Sequence, residues 1–230
     1  MELKVQNLSK SYGTKEVLKD ISFTFESGKI YGLIGRNGAG KTTFFDSLNG
    51  NLSLDSGMFF LDSNILTKEH IGYVISEAIV PEFLTAKEFL TFFLQIHGKE
   101  VNDEILSYYF SMVQLSIEDQ NKLLKEYSKG MKNKMQILIN IMSQPDVLLL
   151  DEPLTSLDVV VQEDMKKLLK SYKKGHIVIL STHILEIALD LCDHIVILNN
   201  MKLEEVEKKN LNTKKYKNKI IQLLRDEKND

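Results

Sequence analysis

Apolar residues follow two different rhythms along this chain of 230 residues. Near the start they alternate with polar ones: Lys4 separates Leu3 from Val5, and Ser22 and Thr24 separate Ile21, Phe23 and Phe25. Successive side chains of a strand point to opposite faces, so each segment reads as a half-buried strand of a small antiparallel sheet. In KIYGLIG (29–35), DVLLLDE (146–152) and HIVILST (176–182) the apolar residues run almost without a break. Such runs suit central parallel strands, which are covered on both faces. Helical patterns precede the latter two, and strands alternating with helices form a parallel sheet through right-handed crossovers.

From about residue 78 to 144 the strand rhythm disappears. LTAKEFLTFFLQIHG opens with Thr85 and Glu88 at capping-box spacing and ends at Gly98. DEILSYYFSMVQL and SKGMKNKMQILINIM read as further helices. HIVILNNMKLEEV predicts a hairpin that turns at Asn199–Asn200. The charge-rich end, KKNLNTKKYKNKIIQLLRDEKND, predicts one exposed helix with a frayed tip. The expected architecture is α/β, a single domain over 1–230. Its core spans 1–75 and 145–210 and carries a small N-terminal antiparallel β subdomain. A helical subdomain, 76–144, is inserted, and 211–230 forms a charged helix or tail.

One stretch changes this picture from fold to chemistry. YGLIGRNGAGKTTFFDSLNG places a glycine-rich run, Gly35 to Thr42, directly after an apolar strand and before a helix. It fits the phosphate-loop pattern G-x-x-x-x-G-K-[ST], which makes the core a parallel-sheet P-loop NTPase. Gly35, Gly38 and Gly40 let the backbone bend tightly, so that amide hydrogens surround an anion at a helix N-terminus. Lys41 adds a charge for the β- and γ-phosphates, and the Thr42 hydroxyl is a ligand for Mg²⁺. Asn37, Ala39 and Thr43 complete the nucleotide-binding run. Asp151 ends an apolar strand, where α/β sheets place their ligands, and is the second candidate for the Mg²⁺. Glu152 follows as candidate general base for an attacking water. Kinases, GTPases, DNA-repair ATPases and transport motors all carry such a loop.

Composition excludes several partners. Net charge is −3, so no general nucleic-acid footprint exists. The one cysteine, Cys192, forms no internal disulfide and suits a reducing compartment. The N-terminus MELKVQNLSK is too polar for a signal peptide, and no apolar run approaches the roughly 18 residues of a membrane helix. A soluble protein is expected, one that acts at a membrane only by holding another protein.

Further motifs decide among the carriers of the loop. EYSKGMKNKMQ precedes the Asp-Glu pair by 15 to 25 residues, SLD (156–158) follows it, and STH (181–183) ends the next strand. In this order and spacing, over essentially the whole chain, the sequence resembles ATP-binding-cassette (ABC) ATPases, the motor subunits of membrane transporters. The resemblance assigns Ser128 and Gly130 to the signature helix, whose usual form L-S-G-G-Q here reads Tyr127-Ser128-Lys129-Gly130-Met131. It makes Tyr12 the aromatic stacked on adenine, Asp158 the residue touching the other subunit, and His183 the switch histidine at the γ-phosphate. It also implies ATP and Mg²⁺ as ligands, a second, identical ATPase subunit, integral membrane permease subunits, and a cytoplasmic position on the inner face of the membrane. A groove near residues 75 to 95 is expected to grip the permease, with Phe89, Phe92 and Phe93 mostly packed inward. The YSKGM signature, the short length and the lack of a C-terminal regulatory domain resemble small exporter cassettes. A soluble cassette driving a non-transport assembly or regulatory process is the alternative. The chain departs from the family at one point: the family's glutamine near the start of the helical segment is replaced by Ser76, with Glu77 beside it, and which of the two takes its role stays open.

Overall fold

The computed structural model describes residues 1–155 and 157–206. The chain begins with β1 (Glu2–Tyr12) and β2 (Lys15–Glu26), then β3 (Lys29–Ile34) and α1 (Lys41–Leu48). Three short strands follow: β4 (Ser56–Leu61), β5 (Asn64–Ile65) and β6 (Ile71–Val74). Next come four helices, α2 (Ala86–Ile96), α3 (Asp103–Met112), α4 (Ile117–Gln120) and α5 (Lys129–Met142). The remaining order is β7 (Val147–Asp151), α6 (Val159–Tyr172), β8 (Ile177–Thr182), α7 (Leu185–Leu191), β9 (His194–Asn199) and β10 (Lys202–Val206).

Two sheets result. The first, in order β2-β1-β4-β5, is antiparallel. The second, in order β10-β9-β3-β8-β7-β6, is parallel except for β10, which pairs antiparallel with β9. The continuous apolar runs are its middle strands, and every residue of β7 and β8 is buried. Alternate residues serve two cores. Leu33, Leu149 and Ile179 pack with Phe44 and Phe45 of α1 and with Leu3, Val5 and Phe25 of the first sheet. Ile34, Leu148 and Val178 pack on the other face with Leu90, Phe110 and Leu138 of the helices. Each such side chain contributes about 1.5–3 kcal/mol of burial. This double cover makes the strand tips a rigid platform. The amide of Lys19 in β2 donates to the Met201 carbonyl at 2.9 Å, tying the two sheets together.

The helix boundaries follow from the sequence. Thr85 and Glu88 form the expected capping box at the start of α2. At its end Gly98 takes φ +63°, its amide donates to Gln95 and that of Lys99 to Leu94. This Schellman arrangement needs a left-handed residue, which glycine adopts without a Cβ clash. Side chains of Asn102, Ser116, Ser128 and Asp158 cap α3, α4, α5 and α6.

One expectation needs correction. The hairpin turns at Asn200–Met201, one residue later than Asn199–Asn200, because Asn199 pairs with Lys202 inside the ladder. Both turn residues have positive φ, 47° and 62°, as the twist-matched two-residue turn requires. The strands β4, β5 and β6 are short and carry no sustained alternation, so no sequence pattern marks them. The segment 211–230 lies outside the described residues. Among the described residues no helix is long and apolar enough to cross a membrane.

Candidate active site

The glycine-rich loop joins β3 to α1. Unlike the five helices capped by side chains or a capping box, α1 has Gly40 at its N-cap, no side-chain cap and no acid in its first turn. Its first amides therefore have neither intrahelical partners nor a capping oxygen, and its dipole faces the loop. Gly40 sits at φ +101°, and a Cβ there would lie 2.8 Å from Val17 Cγ1. Only glycine lets the loop fold so closely over β2. Lys41 is 7% exposed and its Nζ donates to the carbonyls of Gly35 at 2.8 Å and Arg36 at 3.1 Å. Burial pushes its ammonium pKa down, while Glu152 and Asp151 pull the other way.

Across from the loop, β7 and β8 pair with Asp151 beside Ser181. Both oxygens of the buried Asp151 are engaged: Ser181 Oγ donates to Oδ1 at 2.5 Å and Thr42 Oγ1 to Oδ2 at 2.9 Å. Ser181 Oγ also accepts the amide of Glu152 at 3.0 Å, so one buried hydroxyl joins both acids. Glu152 has φ +50°, an uncommon conformation for a residue with a long side chain. Strain of this kind, about 1–3 kcal/mol, persists only where surroundings enforce it. Its Oε1 lies 3.0 Å from His183 Nδ1 and 3.7 Å from Lys41 Nζ, and its Oε2 accepts from Thr155 Oγ1 at 2.7 Å.

Asn37, Gly38, Gly40, Lys41, Thr42, Thr43, Asp151 and Glu152 thus line one cavity of ≈ 300 Å³, together with Val17 and Ser76. The Gly35 carbonyl accepts from Lys41 without lining the cavity, and the Ala39 amide closes a turn onto Arg36. Ser76, not Glu77, faces this cavity; Glu77 lines an adjoining one of ≈ 690 Å³ with Lys129, Lys132 and Thr155. Tyr12 is not among the lining residues. Its ring is 49% exposed at the end of β1, with Lys10 Nζ 5.2 Å from the ring centroid. Ser128, Gly130 and Asp158 gather elsewhere, where α5 and α6 begin. A Cβ on Gly130 would lie 3.3 Å from Leu157, and Ser128 and Asp158 accept the amides of Met131 and Val161. In the 75–95 stretch Ile79 and Phe83 are 74% and 79% exposed, whereas Phe89 and Phe93 pack on the core and Phe92 is exposed. Val17, Ser181 and Thr155 also belong to the site, beyond the residues assigned from the sequence. Only STH marked Ser181, and no motif marked the other two.

Comparison with known proteins places the chain in a family. The model of the ABC transporter family matches residues 18–155. An uncharacterized ABC transporter ATP-binding protein of Methanocaldococcus jannaschii is 35% identical over 204 residues, covering 87% of this chain and 75% of its own. A lantibiotic transport ATP-binding protein of Streptococcus pyogenes is 32% identical, covering 84% of this chain and 85% of its own. The solved structure of an ATP-binding subunit of an ABC transporter superposes with a TM-score of 0.82 at 25% identity, covering 97% of this chain and 99% of that one. The chain belongs to the ABC transporter family, as one of its ATP-binding ATPases.

Proposed function

We propose that this ABC transporter ATPase binds ATP with Mg²⁺ between its glycine-rich loop and the Asp151–Glu152 strand tip, pairs with a second copy around the nucleotide, and drives export by a separate membrane permease. The observation that carries this reading is the convergence of Lys41, Thr42, Asp151 and Glu152 on one cavity. Lys41 and the amides at the start of α1 hold the β- and γ-phosphates. Thr42 Oγ1 and Asp151 Oδ2, in contact at 2.9 Å, are the hard oxygen donors that Mg²⁺ takes. The ion, when bound, neutralises phosphate charge. Glu152 accepts the proton of the attacking water, and His183 beside it contacts the γ-phosphate.

The exposed ring of Tyr12 stacks on adenine. Ser128, Gly130 and Asp158 complete the site of the other copy: the start of α5 supplies a hydroxyl and helix amides to a γ-phosphate held by the partner's loop. Removal of that phosphate opens the pair. Residues 76–144 act as a helical subdomain, with Ser76 standing where the family carries glutamine. The exposure of Ile79 and Phe83 supports a permease-gripping groove in this stretch. The named activity of the Streptococcus relative, lantibiotic transport, supports a transport role. The chain would then reside on the inner face of the membrane through its permease.

The test is to recover the tagged chain from detergent-solubilised membranes of its own host. A polytopic membrane protein at near-equal amount is the expected companion. Recovery of soluble partners alone would move the assignment to a cassette that drives a non-transport assembly.

A further inference from the structure

We infer that Thr155 is a positioning residue for hydrolysis, whose hydroxyl aims the Glu152 carboxylate at the nucleotide cavity. The inference rests on the reading of Glu152 as general base.

Residues 152 to 155 form a tight turn, closed by the Thr155 amide donating to the Glu152 carbonyl at 3.2 Å. The same residue closes the turn a second time through its side chain, Oγ1 donating to Glu152 Oε2 at 2.7 Å. The turn itself cannot drift. Asn133 of α5, itself 1% exposed, donates Nδ2 to the Pro153 carbonyl at 3.2 Å. Gln162 of α6 donates Nε2 to the Leu154 carbonyl at 3.2 Å. Ser181 of β8 holds the Glu152 amide. Three separate elements therefore fix the backbone from which the Thr155 hydroxyl projects.

The consequence falls on the carboxylate. A glutamate has three side-chain torsions, and the left-handed backbone at Glu152 sets only where the side chain starts. The Thr155 bond consumes Oε2 and leaves Oε1 directed at His183 and Lys41. A base must reach its water in a defined geometry, and an error of about 1 Å costs on the order of 10²-fold in rate. Without the hydroxyl, Oε1 keeps its contacts with His183 and Lys41 but Oε2 loses its anchor, so the carboxylate can turn about Oε1 and its plane no longer has one fixed direction.

The experiment compares steady-state ATPase kinetics and nucleotide affinity for Thr155→Val, Thr155→Ser and Thr155→Ala in the full-length chain, each alone and with Glu152→Gln. Thr155→Val keeps the shape and removes the donor. Its kcat is expected to fall about 10- to 100-fold with KM and nucleotide affinity unchanged, since only positioning is lost. Thr155→Ser restores turnover. In the Glu152→Gln background Thr155→Val causes no further loss, because residues acting through one group are not additive. Thr155→Ala repeats the result if the second methyl of valine disturbs the turn. Wild-type kcat in both hydroxyl-free variants overturns the inference. So does a serine variant as slow as valine, or a full additional loss beside Glu152→Gln. Wild-type turnover in Glu152→Gln alone would remove the base itself. A slow Glu152→Gln with a fast Thr155→Val removes only Thr155.

Discussion

Lys41 Nζ stands 3.7 Å from Glu152 Oε1 while it donates to the carbonyls of Gly35 and Arg36. The cation proposed to serve the phosphates is therefore held between its own loop and the acid across the cavity. Burial disfavours the ammonium and leaves its pKa lowered, and the Glu152 and Asp151 carboxylates offset only part of that penalty. A triphosphate brings stronger anionic partners to the same place, so binding replaces the internal contacts rather than filling a neutral space.

The first prediction concerns binding. A ligand at 100 times its Kd stabilises the native state by about 2.7 kcal/mol, or roughly 5–10 °C in Tm for a chain of this size. Wild-type protein is expected to show that shift with saturating ATP, and Lys41→Ala to lose most of it. An equal shift in both would separate the loop from nucleotide binding.

The second concerns hydrolysis. Glu152→Gln keeps the shape of the side chain and removes the base. ATP affinity is expected to persist while turnover drops by roughly 10²–10⁴-fold, the usual effect of general acid–base catalysis. Unchanged turnover would contradict the role given to Glu152.

The third concerns the platform. Gly32 lies in β3 where a Cβ would meet Cys192 Sγ at 2.8 Å and Ala188 Cβ at 3.2 Å. Gly32→Ala overpacks the contact between β3 and α7. It should destabilise the chain by about 1–3 kcal/mol in urea titration. A midpoint equal to wild type would mean that α7 can move away freely.

The fourth concerns the surface. Phe83 is 79% exposed, so Phe83→Ser should change stability by about 0.5 kcal/mol or less. Basal ATPase activity is expected to stay intact. Recovery of the membrane companion from solubilised membranes should fall sharply, and undiminished recovery would move the groove elsewhere.

Much of this was legible because single segments carried it. Unbroken runs such as LLLD announced strands buried on two faces, and Thr85–Glu88 and Gly98 announced both ends of α2. The loop and the Asp-Glu pair are local patterns, so their meeting at one cavity could be expected from strand tips alone. The role of Ser181 is not legible in the sequence, because its contact with Asp151 depends on the register of two strands thirty residues apart. That of Thr155 is not legible either, because its bond to Glu152 follows from a turn geometry that no periodicity reports. Val17 meets the loop only through the fold of β2 over Gly40. Tyr12 is assigned to adenine by the family resemblance alone, and it is not among the residues lining the cavity.

The central claim is that ATP joins two copies of this chain through the loop of one and the Ser128 helix of the other. The most direct test is the mass of the Glu152→Gln chain by light scattering, with and without ATP and Mg²⁺. The account predicts a particle of twice the chain mass with ATP, a monomer without it, and a monomer in both conditions once Ser128→Arg is added. A monomer at saturating ATP, or a dimer indifferent to nucleotide, would contradict it.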